Sequence, residues 1–183
     1  MILTTEKILG IISNDQWMIN TLRAVRNLDL PDSWIGAGFV RNKIWDYLHG
    51  YAQRTPLNDI DVIYFDQAHP NEEHELSYQL YLNSLHSSPH WSITNQARMH
   101  HHHNDNPYTS SEQAISRWPE TPTCIAVTLD QQEHLHLLAP HGIEDLVNLI
   151  VRPVSSEPKV LATYRERMRE KNWKNLWPKL KIY

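Results

Sequence analysis

Residues 34–66 read WIGAGFVRNKIWDYLHGYAQRTPLNDIDVIYFD, and three local patterns in this stretch set the architecture. Trp34-Ile35 is a short apolar run that ends in Gly36-Ala37-Gly38. Phe39, Ile44, Trp45 and Leu48 then recur at helical spacing, and Gly50 suits the left-handed position that closes a helix. Ile60 to Phe65 is β-branched and aromatic, which predicts a strand. Asp59-Ile60-Asp61 opens that strand. Alternate side chains of a strand share a face, so the two carboxylates point one way and Ile60 the other. Paired carboxylates repel unless a cation lies between them. The hard cation that takes carboxylate and phosphate oxygens together is Mg²⁺.

A glycine turn between a strand and a helix lets the backbone approach a ligand, and amides at the helix start hold phosphate. Strand, glycine turn, helix and Asp-x-Asp strand together describe a metal–triphosphate site. The stretch resembles the nucleotidyltransferase superfamily. It is most similar to a family of bacterial nucleotidyltransferase-like proteins through GAGFVRNKIWDYLHG, NDIDVIYFD, NQARMH, Trp118-Pro119-Glu120-Thr121, AP-x-G-x-x-DL and W-x-x-x-WP, blocks spread over residues 34–178. Two departures stand out. The serine that the superfamily places near the second glycine is replaced by Phe39, and the spacing to Asp59 is longer than in compact members.

The resemblance implies an α/β (α+β) fold with a small mixed sheet flanked by helices. It also implies Mg²⁺-dependent transfer of NMP from a nucleoside triphosphate to a hydroxyl of a small molecule, protein or RNA. Asp59 and Asp61 are the candidate catalytic and metal residues. Gly36, Gly38, Arg41, Asn42, Asn95 and Arg98 are the candidate nucleotide-binding residues. The charged and amide side chains have plainer alternatives: solvent-facing acids for Asp59 and Asp61, a surface ion pair or helix cap for Arg41 and Asn42, backbone satisfaction for Asn95 and Arg98. Superfamily enzymes take a third carboxylate from a neighbouring strand, the place held here by Trp91–Gln96, where Ser92 carries no charge. Two readings therefore stand: an enzyme, which would recruit another acid such as Asp46, and a nucleotide-binding or regulatory module without turnover.

Composition sets the outer bounds. The chain has 183 residues, 40% hydrophobic and 21% charged, with a formal net charge of −4. That suits one ordinary globular domain over 1–183, with 157–183 as a helical tail packed on it, and offers no general attraction to DNA. Cys124 is the single cysteine and sits in an apolar run, so no disulfide framework exists and a reducing cytoplasm is expected. The N-terminus lacks the pattern of a signal peptide, and no run approaches the ~18 apolar residues of a membrane span.

Elsewhere the pattern predicts helices over 5–13 and 15–28, with Asn14 as N-cap of the second. A helix opening at Pro70–Glu73 buries Leu76, Leu80, Tyr81, Leu82 and Leu85. Trp91–Thr94 is a short strand, and Ser110-x-x-Gln113 is a capping box. Thr123–Leu129 and His134–Leu138 form a hairpin. His141–Val151 is helical, with Asp145 near its start, and Pro158 opens a last helix rich in Arg165, Arg167, Arg169 and Lys171. That helix has two readings: contact with an anionic acceptor or nucleic acid, or, from its alternating Arg and Glu, a solvated, ion-paired face. Trp173 and Trp177 anchor the tail. Four consecutive histidines, His100–His103, fan out rather than converge, which predicts a polar loop near the active cleft with adventitious metal affinity. Asp66 reads as structural.

Overall fold

The computed structural model describes residues 3–85, 89–103 and 105–183. Residues 1–2 of the N-terminal reading and Asn104 at the end of the histidine run lie outside these. The elements run α1 (Thr5–Ser13), α2 (Gln16–Arg26), β1 (Trp34–Gly36), α3 (Gly38–His49), β2 (Asp59–Tyr64), α4 (Glu72–Leu85) and β3 (His90–Asn95). They continue through α5 (His100–His103), α6 (Ser111–Ile115), β4 (Ala126–Leu129), β5 (Leu135–Leu138), α7 (Glu144–Val147), β6 (Ile150–Val151), α8 (Pro158–Glu170), α9 (Trp173–Leu176) and β7 (Lys181–Ile182).

Five strands form one mixed sheet in the order β3-β2-β1-β4-β5. β2 runs parallel to β3, with Asp61 level with Ser92, and antiparallel to β1. β1 and β4, and β4 and β5, are antiparallel. The expected α/β fold with a small mixed sheet flanked by helices is therefore what forms. β2 is an interior strand, which its alternation and β-branched content suit.

The core joins Ile35, Ile60, Val62, Trp91 and Val127 of the sheet to Ile8, Met18 and Leu22 of the first two helices and to Phe39, Ile44 and Trp45 of α3. It also takes in Tyr164, Trp173, Trp177 and Leu180 from the C-terminal segment. Trp45 meets Trp173 and Trp177 edge-on, with ring centroids 5.4 and 5.1 Å apart. Such pairs contribute ~0.5–1.5 kcal/mol each beyond the area they bury. The two tail tryptophans are anchors, as their spacing suggests.

Several local expectations fail for identifiable reasons. Asp15, not Asn14, caps α2, its carboxylate accepting from the Met18 N–H at 3.2 Å; Asn14 closes α1 instead. On α4 only Leu82 of the predicted apolar set is buried, whereas Leu76, Leu80, Tyr81 and Leu85 are exposed, Leu80 by 61%. The inward strip holds Glu75, which accepts the Asn95 N–H and binds Arg98. The predicted helix over His141–Val151 shrinks to α7, because Leu149 takes φ 58° and Ile150–Val151 pair with β7. Ser110 does cap α6, but the Gln113 carbonyl reaches back to Thr109 rather than Ser110. The histidine run forms the short helix α5, not an open loop. Among the described residues, no helix is long and apolar enough to cross a membrane.

Candidate functional site

A cleft of about 510 Å³ opens where β1 hands over to α3. Its lining comes from three parts of the chain: Ala37, Gly38, Arg41 and Asn42; Pro56 to Asp59 with Asp61; and Arg167, Glu170 to Trp173, Leu176 and Trp177. Thr123 completes it.

The turn into α3 is tight, and its strain falls on an unexpected residue. Ala37 is the N-cap with φ 49° and ψ −120°, a conformation costing on the order of 1–3 kcal/mol for a residue with a Cβ. Gly38 follows on the cleft wall; a Cβ there would lie 3.3 Å from Leu57 and 3.5 Å from the Arg41 guanidinium. Gly36 has a different reason to be glycine. A Cβ at that position would fall 2.8 Å from the ring of Trp118, so Gly36 is required by packing, and it is not part of the cleft lining.

β2 presents both aspartates to the cleft, with Asp59 exposed at the strand's mouth and Asp61 deeper. Neither carboxylate accepts a hydrogen bond from another described residue. Burial, reinforced by the charge of Asp59, pushes Asp61 up to about 6; Arg41, Lys171 and Arg167 pull the other way without prevailing. Such an acid is uncomfortable as an anion until a cation arrives.

Arg41 forms the floor. Only 7% of it is exposed. Its guanidinium donates to Thr123 Oγ1 at 2.9 Å and to Asn42 Oδ1 at 3.0 and 3.2 Å, and it lies over Trp173 at 4.3 Å. Burial lowers its pKa to about 10; Arg167 adds to that, and the charges of Glu120, Asp61 and Asp59 oppose it. This is neither the surface ion pair nor the helix cap of the plainer reading. Arg167 enters from α8 and is gripped by the fully buried Glu120, Nε to Oε1 at 2.5 Å.

The loop before β2 is fixed from both sides. Asp46 accepts the Thr55 N–H at 2.8 Å, the Thr55 hydroxyl at 2.6 Å and the Trp177 indole N–H at 2.8 Å. Asp15 holds Lys43 at 2.7 Å and Arg54 at 2.5 Å. Asp46 is thus fully engaged and absent from the cleft lining, which corrects the idea that it replaces a third carboxylate. Asp66 is structural: it accepts the Ala68 and His69 N–H groups in the turn after β2.

Of the sequence candidates, the structure brings together Gly38, Arg41, Asn42, Asp59 and Asp61. Asn95 and Arg98 lie elsewhere. Asn95 holds the backbone of Asp66, His69 and Ala97, and Arg98 pairs with Glu72 and Glu75. Asn95 satisfies backbone groups, its plainer reading, whereas Arg98 is held mainly by the Glu75 carboxylate, with one bond to the Asn95 carbonyl. Sequence reasoning named Arg167 and Lys171 only as part of a basic helix able to meet an anionic partner, and it missed Thr123 and the role of Glu120 behind the cleft. The signal for Glu120 was the Glu120-Thr121 block, whose role depends on an arginine 47 residues downstream. Among the described residues, no three His, Cys, Asp or Glu side chains converge as a metal site.

Among curated proteins, none matches the chain. Among solved structures, an NMR structure of a CCA-adding enzyme head domain is 33% identical, covers 98% of this chain and 96% of its own, and superimposes with a TM-score of 0.87. A CCA-adding enzyme with CTP is 14% identical with a TM-score of 0.62 over 96% of this chain. An apo form of such an enzyme is 15% identical with a TM-score of 0.60. These two show the fold alone, and the chain spans 43% and 42% of their lengths. The family model described as Nucleotidyltransferase matches residues 23–182, the strand, turn and aspartate pair included, and the chain belongs to that family.

Proposed function

We propose that the cleft binds a nucleoside triphosphate as its Mg²⁺ complex and transfers NMP to a hydroxyl of a small molecule, protein or RNA. The observation that carries this reading is the pair Asp59 and Asp61, free of hydrogen-bond donors among the described residues and facing one cleft with Gly38. Two hard carboxylates suit Mg²⁺ and leave positions for phosphate oxygens and water. Bound there, Mg²⁺ supplies neutralisation of phosphate charge and makes an acceptor hydroxyl more acidic.

The chain's own residues supply the rest. Gly38 keeps the start of α3 open to a phosphate. Arg41 is a fixed positive charge behind it, held in place by Thr123, Asn42 and Trp173. Pro56 and Leu57 narrow the mouth. A nucleotide ligand is also what the CTP complex of a structural neighbour suggests. The lone, buried Cys124 is consistent with a cytoplasmic setting.

Calorimetry with ATP, CTP, GTP and UTP, with and without Mg²⁺, tests the reading. Metal-dependent binding that disappears in Asp59→Ala and Asp61→Ala is expected, together with transfer of α-³²P label to an acceptor. No binding of any of the four would sink it. A second reading, a nucleotide-binding module without turnover, is favoured by Ser92 standing level with Asp61 where a third carboxylate would sit. Binding with no transfer to any acceptor supports that module.

A further inference from the structure

We infer that Lys171 is the side chain through which the C-terminal segment grips the triphosphate, so that this segment completes the nucleotide site as well as packing on the core. The inference rests on the nucleotide reading above. A triphosphate brings several negative charges into a cleft that already holds Asp59, Asp61 and Glu170. Cations must answer them. Three Lys or Arg side chains line the cleft: Arg41, Arg167 and Lys171.

Two of the three are already committed. Arg41 is clamped between Thr123, Asn42 and the face of Trp173, and turning it outward would break all three contacts. Arg167 is bound through Nε and Nη2 by both oxygens of Glu120. Lys171 is exposed at the end of α8 and forms no ion pair or hydrogen bond through its side chain with another described residue. Its ammonium, on a flexible stem with three donors, is suited to follow a phosphate that is not held in one fixed geometry.

A lysine at a helix C-terminus is often there only to balance the helix dipole. The charge distribution argues for more. Residues 157–183 carry eight Lys and Arg against three Asp and Glu, in a chain whose net charge is −4. The alternation of Arg and Glu in this helix predicts pairing along its face, yet among the described residues no ion pair engages Arg165, Glu166, Arg169, Glu170 or Lys171. The segment therefore keeps its positive charge, and of its two cations at the cleft Lys171 is the one without an ion pair among the described residues.

The test uses the full chain and calorimetry with Mg²⁺ and each of ATP, CTP, GTP and UTP, and with Mg²⁺ and inorganic triphosphate alone. Lys171→Ala is expected to weaken both kinds of ligand about tenfold, the scale of one charge-assisted hydrogen bond. Lys171→Arg restores affinity, and Lys171→Glu weakens it further. Melting temperatures stay level across the set. Unchanged affinity in Lys171→Ala overturns the inference while leaving the nucleotide reading intact. A loss that arginine does not restore, or that comes with a lower melting temperature, also overturns it by making the residue structural. Failure of the wild-type chain to bind any of the four nucleotides removes the parent reading, and this inference with it.

Discussion

The knot around Asp46 and the cleft around Asp61 bury the same chemical group and treat it in opposite ways. Asp46, 4% exposed, receives three donors from the loop before β2 and from the C-terminal segment. Asp61 receives none from the described residues and sits beside Asp59, so its pKa climbs to about 6. A satisfied carboxylate ties elements together; an unsatisfied one stores a demand for a cation. In this molecule donor count separates the two aspartates more cleanly than residue type does.

Removing the satisfied acid should do the most damage. Asp46→Ala leaves the Thr55 amide and the Trp177 indole N–H without an acceptor in the interior. A loss of about 4 kcal/mol is expected, lowering the melting temperature on the order of 10 °C. A loss under about 1 kcal/mol would erase the contrast.

Asp61→Asn should act in the reverse direction. In the wild-type chain the folded state holds a proton on Asp61 up to about pH 6, whereas the unfolded state releases it near 3.8, the ordinary value of an aspartate. Stability therefore falls as pH rises through that window, and the full cost, a ceiling of about 3 kcal/mol, is present above it. The asparagine variant should be more stable than wild type at pH 8, equal to it near pH 3, and unable to bind nucleotide in a Mg²⁺-dependent way. Urea titrations across pH, with calorimetry alongside, check both halves. Equal stability at pH 8 would mean that Asp61 is not strained.

Smaller effects sharpen the boundary of the cleft. Gly36→Ala drives a methyl against Trp118 and should cost about 1–2 kcal/mol in a thermal melt, with nucleotide affinity unchanged. Weakened binding instead would bring Gly36 back into the site. Leu80→Ser on the outer face of α4 should shift stability by no more than ~0.5 kcal/mol, because that side chain is already in water. A larger drop would mean that something covers α4 in solution.

How far the chain could be read in one dimension depended on how local the cause was. The strand over Ile60–Phe65, the helix closed by Gly50 and the Pro158 helix start follow from periodicity and backbone preference within a few residues. The face of α4 was misread because its apolar residues are suited to burial but its inward strip is claimed by Glu75, which serves Asn95 and Arg98 from a distant element. The helix expected over His141–Val151 was cut short by pairing with β7, some thirty residues on. Gly36 and Gly38 look alike in the sequence, yet one is held by Trp118 and the other faces the cleft.

The sequence by itself determined that two aspartates would share a face beside a glycine-bounded helix start, because strand alternation is a property of the local backbone. Only the tertiary structure decided that Arg41 would be locked by Thr123 and Trp173, that Asp46 would be satisfied and Asp61 not, and that the end of α8 would close the cleft. The contacts of Arg41 with Thr123 and of Trp177 with Asp46 join residues 82 and 131 positions apart. Which donors reach which carboxylate is set by packing, and packing has no one-dimensional signature.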